Sequence, residues 1–433
     1  QREKGSGMRT IMRIGRAGER LVSYASVVTE TYRHFGRLGL GAVFGSKKLK
    51  AVVVSGERSL PVADRKAYRQ AYDAIFKAAT ESELMQKYHE LGTSMNVVPL
   101  DAIGALPTRN LQAGRFEGAQ AISGERLAAD YLGRRIACAH CPIACIHLAA
   151  LRIPYPSEPY FYKTMMLGYD HEPIYATGSM LGLGDVPGML QLMDEIEVQG
   201  LDVMSAGVAL AWASEALARG LLTTKETDGL ALAFGEAPPY VEAVRRIVSQ
   251  PTEFYRALAR GVEHAASVYG GAEFALAFGG LEMPGYHTGP GCHLGYLTGA
   301  RHSHLDSAGY SLDQQAAREG IALTPEGVAE ALLAEERWRQ VLTSLVVCLF
   351  ARGVYDPETV LKALACAGYE WTRDDLERLG VETLRRKVAF KQREGFTFEG
   401  LRLPARILET PAPAGPFDEG FLRQAIACYR DRL

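Results

Sequence analysis

The sequence predicts a mainly α fold, α+β overall, in which a short β-rich piece precedes helical domains, and three observations lead there. Strand-like apolar runs are confined to the first 56 residues. Beyond Pro61, apolar residues recur at helical spacing. The helical stretches are framed by N-capping residues at their starts and by glycine at several ends.

Taken in order, residues 9–15, 21–28 and 49–54 are the strand-like runs, the first and last of them closed by Gly15 and Gly56. Between them Gly36, Gly39, Gly41 and Gly45 coincide with Arg37, Lys47 and Lys48. Small residues let a backbone approach a phosphate and the cations neutralise it, while a tight structural turn accounts for the glycines equally well. A nucleotide P-loop is excluded, because Ser46 precedes Lys47 and the G-x4-G-K-[ST] spacing fails. The first helix is predicted over 64–79, where Tyr68, Tyr72, Ile75, Phe76 and Ala79 share a face and Asp64 is the N-cap. Further helices are expected at 186–198, 205–218, 252–269, 325–349, 357–367, 372–389 and 418–430. Turn-rich stretches interrupt them at 154–159 and 284–293. Boundaries near Gly56 and Gly279 give segments 1–57, 58–278 and 279–433.

A formal net charge of −2, with 48 basic against 50 acidic residues, leaves no footprint for nucleic acid or an anionic membrane. No run of about 18 apolar residues occurs and the amino end does not read as a signal peptide, so a cytoplasmic protein is expected. Seven cysteines, unevenly spread, suit metal ligation better than a disulfide framework.

Three of them, Cys138, Cys141 and Cys145, form C-x2-C-x3-C, which sets three thiolates around one turn of backbone. With Cys348 as a remote fourth thiolate the set suits an iron–sulfur cluster. The alternative is zinc, with His140 or His147 as the fourth ligand, although zinc sites more often show two C-x2-4-C pairs. Cys292, Cys366 and Cys428 read as ordinary thiols.

Several motifs occur in a family order: Gly15-Arg-Ala-Gly-Glu19, the glycine-rich 36–51 run, Cys138 to Pro142, Gly200-Leu-Asp202, Leu281-Glu-Met-Pro-Gly-Tyr286 and Leu403-Pro-Ala-Arg406. In these the chain resembles the aldehyde:ferredoxin oxidoreductase family over nearly its whole length. The resemblance implies a tungsten, or molybdenum, held by two molybdopterins beside a [4Fe-4S] cluster, with Mg2+ at the pterin phosphates. It further implies two helical domains behind a β-rich, cofactor-covering domain, of which residues 1–57 correspond to the end.

It also implies roles residue by residue. Arg37, Gly39, Gly41 and Lys47 would approach the pterin phosphates. Glu197, Gly200, Leu201 and Asp202 fall on the family's D-x-x-G-L-D pterin motif with Glu in the first place, and Thr343 and Val347 fall on the partner motif D-x-x-G-L-C, whose Cys348 is kept while its leading Asp and its Gly are not. Glu172, expected to have a raised pKa, and His304 would handle protons, with His302 as competitor; His171, His287 and His293 would face the same cavity. The family's subunit-bridging iron motif falls on Gln191 and Asp194, so that iron would be lost. The implied activity is oxidation of an aldehyde, or another small two-electron substrate, with electrons passing to ferredoxin or an iron–sulfur subunit. A low-potential reductase of an acid or thioester, or a non-catalytic relay or scaffold subunit, are the alternatives. A homo-oligomer is compatible with each.

Overall fold

The computed structural model describes residues 9–29, 32–56, 61–155 and 157–433. The boundary expected at 57/58 therefore lies outside the described residues. Helix accounts for 53% of the structure and strand for 12%, so the fold is mainly α.

The amino-terminal piece is a four-stranded antiparallel sheet in the order β3-β2-β1-β4, made of β1 (Arg9–Ile14), β2 (Val27–Val28), β3 (His34–Phe35) and β4 (Ala51–Ser55). β1 and β4 pair from Arg9 with Ser55 to Arg13 with Ala51. The glycine-rich run turns at 37–39 and then forms helix α1 (Leu40–Ser46). The 21–28 run supplies only two strand residues because 22–26 is gripped between α1 and a turn at 200–202. A Cβ on Gly39, at φ +68°, would strike the Ser23 carbonyl, and one on Gly41 the Ser26 carbonyl. On the other side Ser26 N–H donates to the Gly200 carbonyl at 2.9 Å and Asp202 N–H to that of Tyr24 at 2.8 Å.

Helix α2 (Arg65–Glu81) starts at Asp64, whose carboxylate accepts from the amides of Lys66 and Ala67. A three-stranded sheet that periodicity did not reveal follows, β5 (Leu132–Ile136), β6 (Ile146–Tyr155) and β7 (Glu158–Tyr169) in that order. The inner end of β6 is buried on both faces, which erases the alternation by which a strand is recognised. The turn expected at 154–159 is the end of this hairpin.

Helices α3 (His171–Thr177), α4 (Val186–Gln199) and α5 (Val203–Ala218) come next, with Asp185 and Asp202 capping the last two. The helix expected over 252–269 is two pieces, Glu253–Leu258 and Val262–Tyr269, because Gly261 takes φ +102°. In the glycine- and proline-rich 284–293 stretch, Pro290 opens helix α6 (Pro290–Thr298) instead of continuing a loop, since proline lacks only an N–H that the first turn leaves unpaired anyway. After the short α7 (His304–Ser307), helix α8 (Pro325–Ser344) packs between α9 (Arg373–Arg393) and α10 (Glu419–Arg432). α8 stops five residues short of the expectation because Val346 turns the chain at φ +59°.

One apolar core runs from Ala17 through α5, buried from Ser205 to Ala216, to Tyr429 and takes residues from both sides of Gly279. A small satellite core of Ala79, Met85, Tyr88 and Ile143 lies beneath the cysteine loop.

Candidate active site

The three clustered cysteines sit in the loop between β5 and β6, not on helical elements. The Cys145 thiol is pushed up to about 11, first by burial and then by the charges of Cys348, Cys138 and Cys141, against the pull of Arg33. Cys348 thus lies within electrostatic reach of Cys145. Phe350, two residues on, stacks on Tyr88 with ring centroids 4.8 Å apart, which seats the 348–350 segment on the satellite core beside Cys141 and Cys145. Elsewhere, Cys292 is buried with its thiol 2.9 Å from the Tyr296 hydroxyl, Cys366 bonds its own helix, and Cys428 lies by Glu326.

His147 is not available to a metal. Its Nδ1 faces the Cys145 carbonyl at 3.1 Å and its Nε2 the carbonyls of His89 and Glu90 at 3.0 and 3.1 Å, so both ring nitrogens are turned to the backbone and the ring fastens the loop. Among the described residues, no three or more His, Cys, Asp or Glu side chains are gathered to hold one metal ion. Tetrahedral zinc needs each sulfur about 2.3 Å from one centre.

β6 begins one residue after Cys145 and β7 ends one residue before Asp170, so a single hairpin ties the cysteine loop to the start of α3. There Glu172 Oε1 lies 3.0 Å from His304 Nε2 and accepts from the Tyr286 hydroxyl at 3.0 Å. Glu172 and His304 are 12% and 7% exposed. His304 owes its position to a capping box, Ser303 with Asp306, that opens α7, and Tyr286 is stacked on Tyr310 at 4.5 Å.

The expected raised pKa of Glu172 is corrected. Burial pushes its carboxyl up, but the hydrogen bond and charge of His304, with His171 behind, outweigh burial and hold it below its ordinary value. The raised group is its neighbour Asp170, at about 7, from burial and the Glu172 charge, with Arg33 and His34 opposing. Oδ1 of Asp170 and Nδ1 of His304 are both buried with no hydrogen-bond partner.

The other histidines turn elsewhere. His302 Nδ1 faces the Tyr296 carbonyl at 2.8 Å and its ring meets Phe396 edge-on, so it does not compete with His304. His287 and His293 form their own buried pair, 2.9 Å between Nδ1 and Nε2, tied to the Thr410 carbonyl. His171 lies under Tyr286, its Nε2 2.9 Å from the Gly285 carbonyl.

The residues expected around the pterins are largely engaged within the chain. Gly39, Gly41 and Gly200 permit the backbone approaches that grip 22–26, and Leu201 is 3% exposed in the core. Asp202 caps α5 and accepts from Arg37 Nε at 3.0 Å. Arg37 Nη2 donates to the Glu282 carbonyl at 2.6 Å, and its Nη1 remains buried and unpaired. Lys47 is exposed at the C-terminal end of α1, where its N–H caps helix carbonyls. Glu197 Oε1 pairs with His34 Nε2 at 2.7 Å. The Thr343 hydroxyl donates back to the Arg339 carbonyl, and Val347 packs in the outer helical core.

Arg33 is the residue that sequence reasoning missed. Burial opposes its charge, but a hydrogen bond to the Cys138 side chain and the nearby Cys138, Cys145 and Asp170 raise its pKa overall. Its charge acts on the cysteine loop and on Asp170. A lone arginine in an irregular segment gave no signal, and neither did Asp170.

Comparison with known proteins follows the same lines. The model of the aldehyde ferredoxin oxidoreductase domains 2 and 3 matches residues 70–430, and that of the N-terminal domain residues 1–56. The chain belongs to the aldehyde ferredoxin oxidoreductase family. It is 31% identical to the tungsten-containing aldehyde ferredoxin oxidoreductase of Thermococcus kodakarensis and 30% identical to that of Pyrococcus furiosus, over 96% of this chain and 69% of each relative. A P. furiosus aliphatic sulfonate oxidoreductase, WOR-like subunit, is 28% identical over 58% of the chain and 39% of its own length. In fold the chain is similar to the active-site complex BamBC of benzoyl coenzyme A reductase in complex with 1,5-dienoyl-CoA, with a TM-score of 0.78, 19% identity and coverage of 100% and 72%. The chain is accordingly an oxidoreductase of the family's type. Among the described residues no helix is long and apolar enough to cross a membrane.

Proposed function

We propose that this chain forms the body of a tungsten- or molybdenum-pterin oxidoreductase that converts an aldehyde to a carboxylate and passes electrons through a [4Fe-4S] cluster to ferredoxin or an iron–sulfur subunit. One observation carries the reading: a single hairpin, β6 to β7, leads from the cysteine loop to the start of α3, where Glu172 Oε1 and His304 Nε2 meet at 3.0 Å. An electron acceptor and proton acceptors thereby adjoin, as a two-electron oxidation requires.

The donor set fits a cluster. Cys138, Cys141, Cys145 and Cys348 would hold it, since four cysteine thiolates are the usual ligand set of a [4Fe-4S] cluster. Arg37, with its buried spare Nη1, would meet a pterin phosphate. The relatives' tungsten supports the choice of metal. When bound, the metal–pterin group supplies the two-electron acceptor.

The chain's own residues handle the proton. Glu172 orients the neutral imidazole through Nε2–H, and Tyr286 fixes the same carboxylate oxygen. His304 Nδ1, the ring nitrogen without a partner, is left to take the proton. The test is aldehyde-dependent reduction of a viologen by the anaerobically purified, metal-loaded full chain. Turnover is expected. Metal loading without aldehyde turnover, but with acid or thioester consumed at the expense of reduced viologen, would replace this reading by the reductase.

A further inference from the structure

Helix α8 buries two charged side chains one turn apart, Glu336 at 0% and Arg339 at 2% exposure, among Leu332, Leu333, Val341 and Leu342. Taking a carboxylate and a guanidinium out of water is costly unless hydrogen bonds replace the lost hydration. Here the replacing bonds converge on one loop. Glu336 Oε1 accepts from the Ala300 N–H at 2.8 Å, and Arg339 Nη1 donates to the Leu305 carbonyl at 2.9 Å. Ala300 and Leu305 are the two ends of the segment that carries His304. Within that segment the chain is tied to itself: the fully buried Asp306 accepts from the amides of Arg301 and Ser303 at 2.8 and 3.2 Å and from Arg301 Nε at 2.7 Å. The segment is therefore a closed unit whose orientation is set where it is fastened. Each residue on α8 has a second anchor, since Glu336 Oε2 accepts from the Tyr429 hydroxyl of α10 and Arg339 Nε donates to Glu335 at 2.7 Å.

We propose that Glu336 and Arg339 are positioning residues for His304: by gripping the 300–305 segment at both ends, they hold its imidazole 3.0 Å from Glu172. The proposal rests on the reading of Glu172 and His304 as the proton-handling pair. Neither α8 residue touches the substrate or exchanges a proton in the reaction. The physical cause is geometric. A hydrogen bond to a charged group is stronger and more directional than one between neutral groups, and in a dry interior no water competes for it. Two such bonds at opposite ends of a short segment fix its tilt as well as its distance. A displacement of about 1 Å at a reacting group lowers a rate by up to about 10²-fold, so the fastening matters to turnover even though it lies behind the site.

The test measures two quantities in the anaerobically purified, metal-loaded full chain: aldehyde turnover, and the rate at which diethyl pyrocarbonate modifies His304, followed by peptide mass spectrometry. Nδ1 of His304 has no hydrogen-bond partner, so burial alone protects it and a loosened segment exposes it. Glu336→Leu and Arg339→Met should lower kcat by about 10–100-fold with KM little changed, and His304 should be modified several-fold faster. Arg339→Lys, which keeps a donor, and Glu336→Gln, which keeps an acceptor, should recover most of both losses. In a His304→Phe background Arg339→Met should cost nothing further, because a residue that acts through His304 has nothing left to act on. Should an apolar variant fail to fold, Arg339→Gln, polar but too short to reach the Leu305 carbonyl, is read in the same way. A wild-type modification rate at His304 in these variants, or an Arg339→Met loss that persists undiminished beside His304→Phe, overturns the proposal and leaves the reading of the pair intact. Wild-type turnover in the loaded His304→Phe protein overturns both.

Discussion

Glu172 is constrained from three directions, by His304, by Tyr286 and by the end of β7, and each constraint makes its substitution readable. Replacing Glu172 with Gln removes the charge that holds His304 Nε2–H, and replacing His304 with Phe removes the imidazole itself. Either change should lower turnover by about 10²–10⁴-fold, the usual contribution of a positioned acid–base group, with metal content unchanged. Steady-state rates beside metal analysis on the same samples check it; wild-type turnover in both loaded variants would remove the pair from the mechanism. At this scale the sequence was informative where a residue type stood in a family motif, as with Cys138 and His304. It was silent on Arg33 and Asp170, whose meaning comes from partners that only folding supplies. It also misjudged Glu172, because burial was visible in prospect and the compensating His304 contact, 132 residues away in the chain, was not.

At the scale of elements, the 22–26 segment is held by helix α1 on one side and the 200–202 turn on the other, and the amino-terminal sheet is thereby fixed to the helical body. Gly39→Ala should destabilise the protein by about 1–3 kcal/mol, since the left-handed backbone penalises a side chain and the Ser23 carbonyl occupies its place. Denaturant unfolding checks this, and an unchanged midpoint would mean that α1 is loosely attached. From sequence the same glycines read equally as a phosphate approach or a tight turn; the close approach seen at Gly39 and Gly41 is that of the chain's own backbone at Ser23 and Ser26. The helices with clear caps, at Asp64, Thr372 and Asp418, were legible at their starts, while their ends ran on to Glu81, Arg393 and Arg432, past the expected 79, 389 and 430. The β5-β6-β7 sheet was not, because a strand buried on both faces has no period to read.

For the whole molecule, buried histidines couple folding to pH. Burial is the chief cause that lowers His302 to about 4, with the Lys391 charge adding to it. The folded state therefore binds fewer protons than the unfolded state below about 6.5, so this histidine's contribution is complete above that pH and is lost as pH falls toward 4. The stability advantage of the wild type over His302→Gln should shrink across that window by up to about 1.4 kcal/mol per pH unit. Denaturant unfolding of both proteins at pH 7, 5.5 and 4.5 checks it; a constant difference would place a solvated imidazole at this position.

The central claim is that the cysteine loop, Cys348 and the Glu172–His304 pair form one redox centre. Iron, zinc, tungsten and molybdenum content of the anaerobically purified full chain, measured beside its Cys145→Ser variant, tests it most directly. The account predicts about four irons together with tungsten or molybdenum in the wild type, and loss of iron in the variant. About one zinc in place of iron, or iron content indifferent to Cys145, would contradict it.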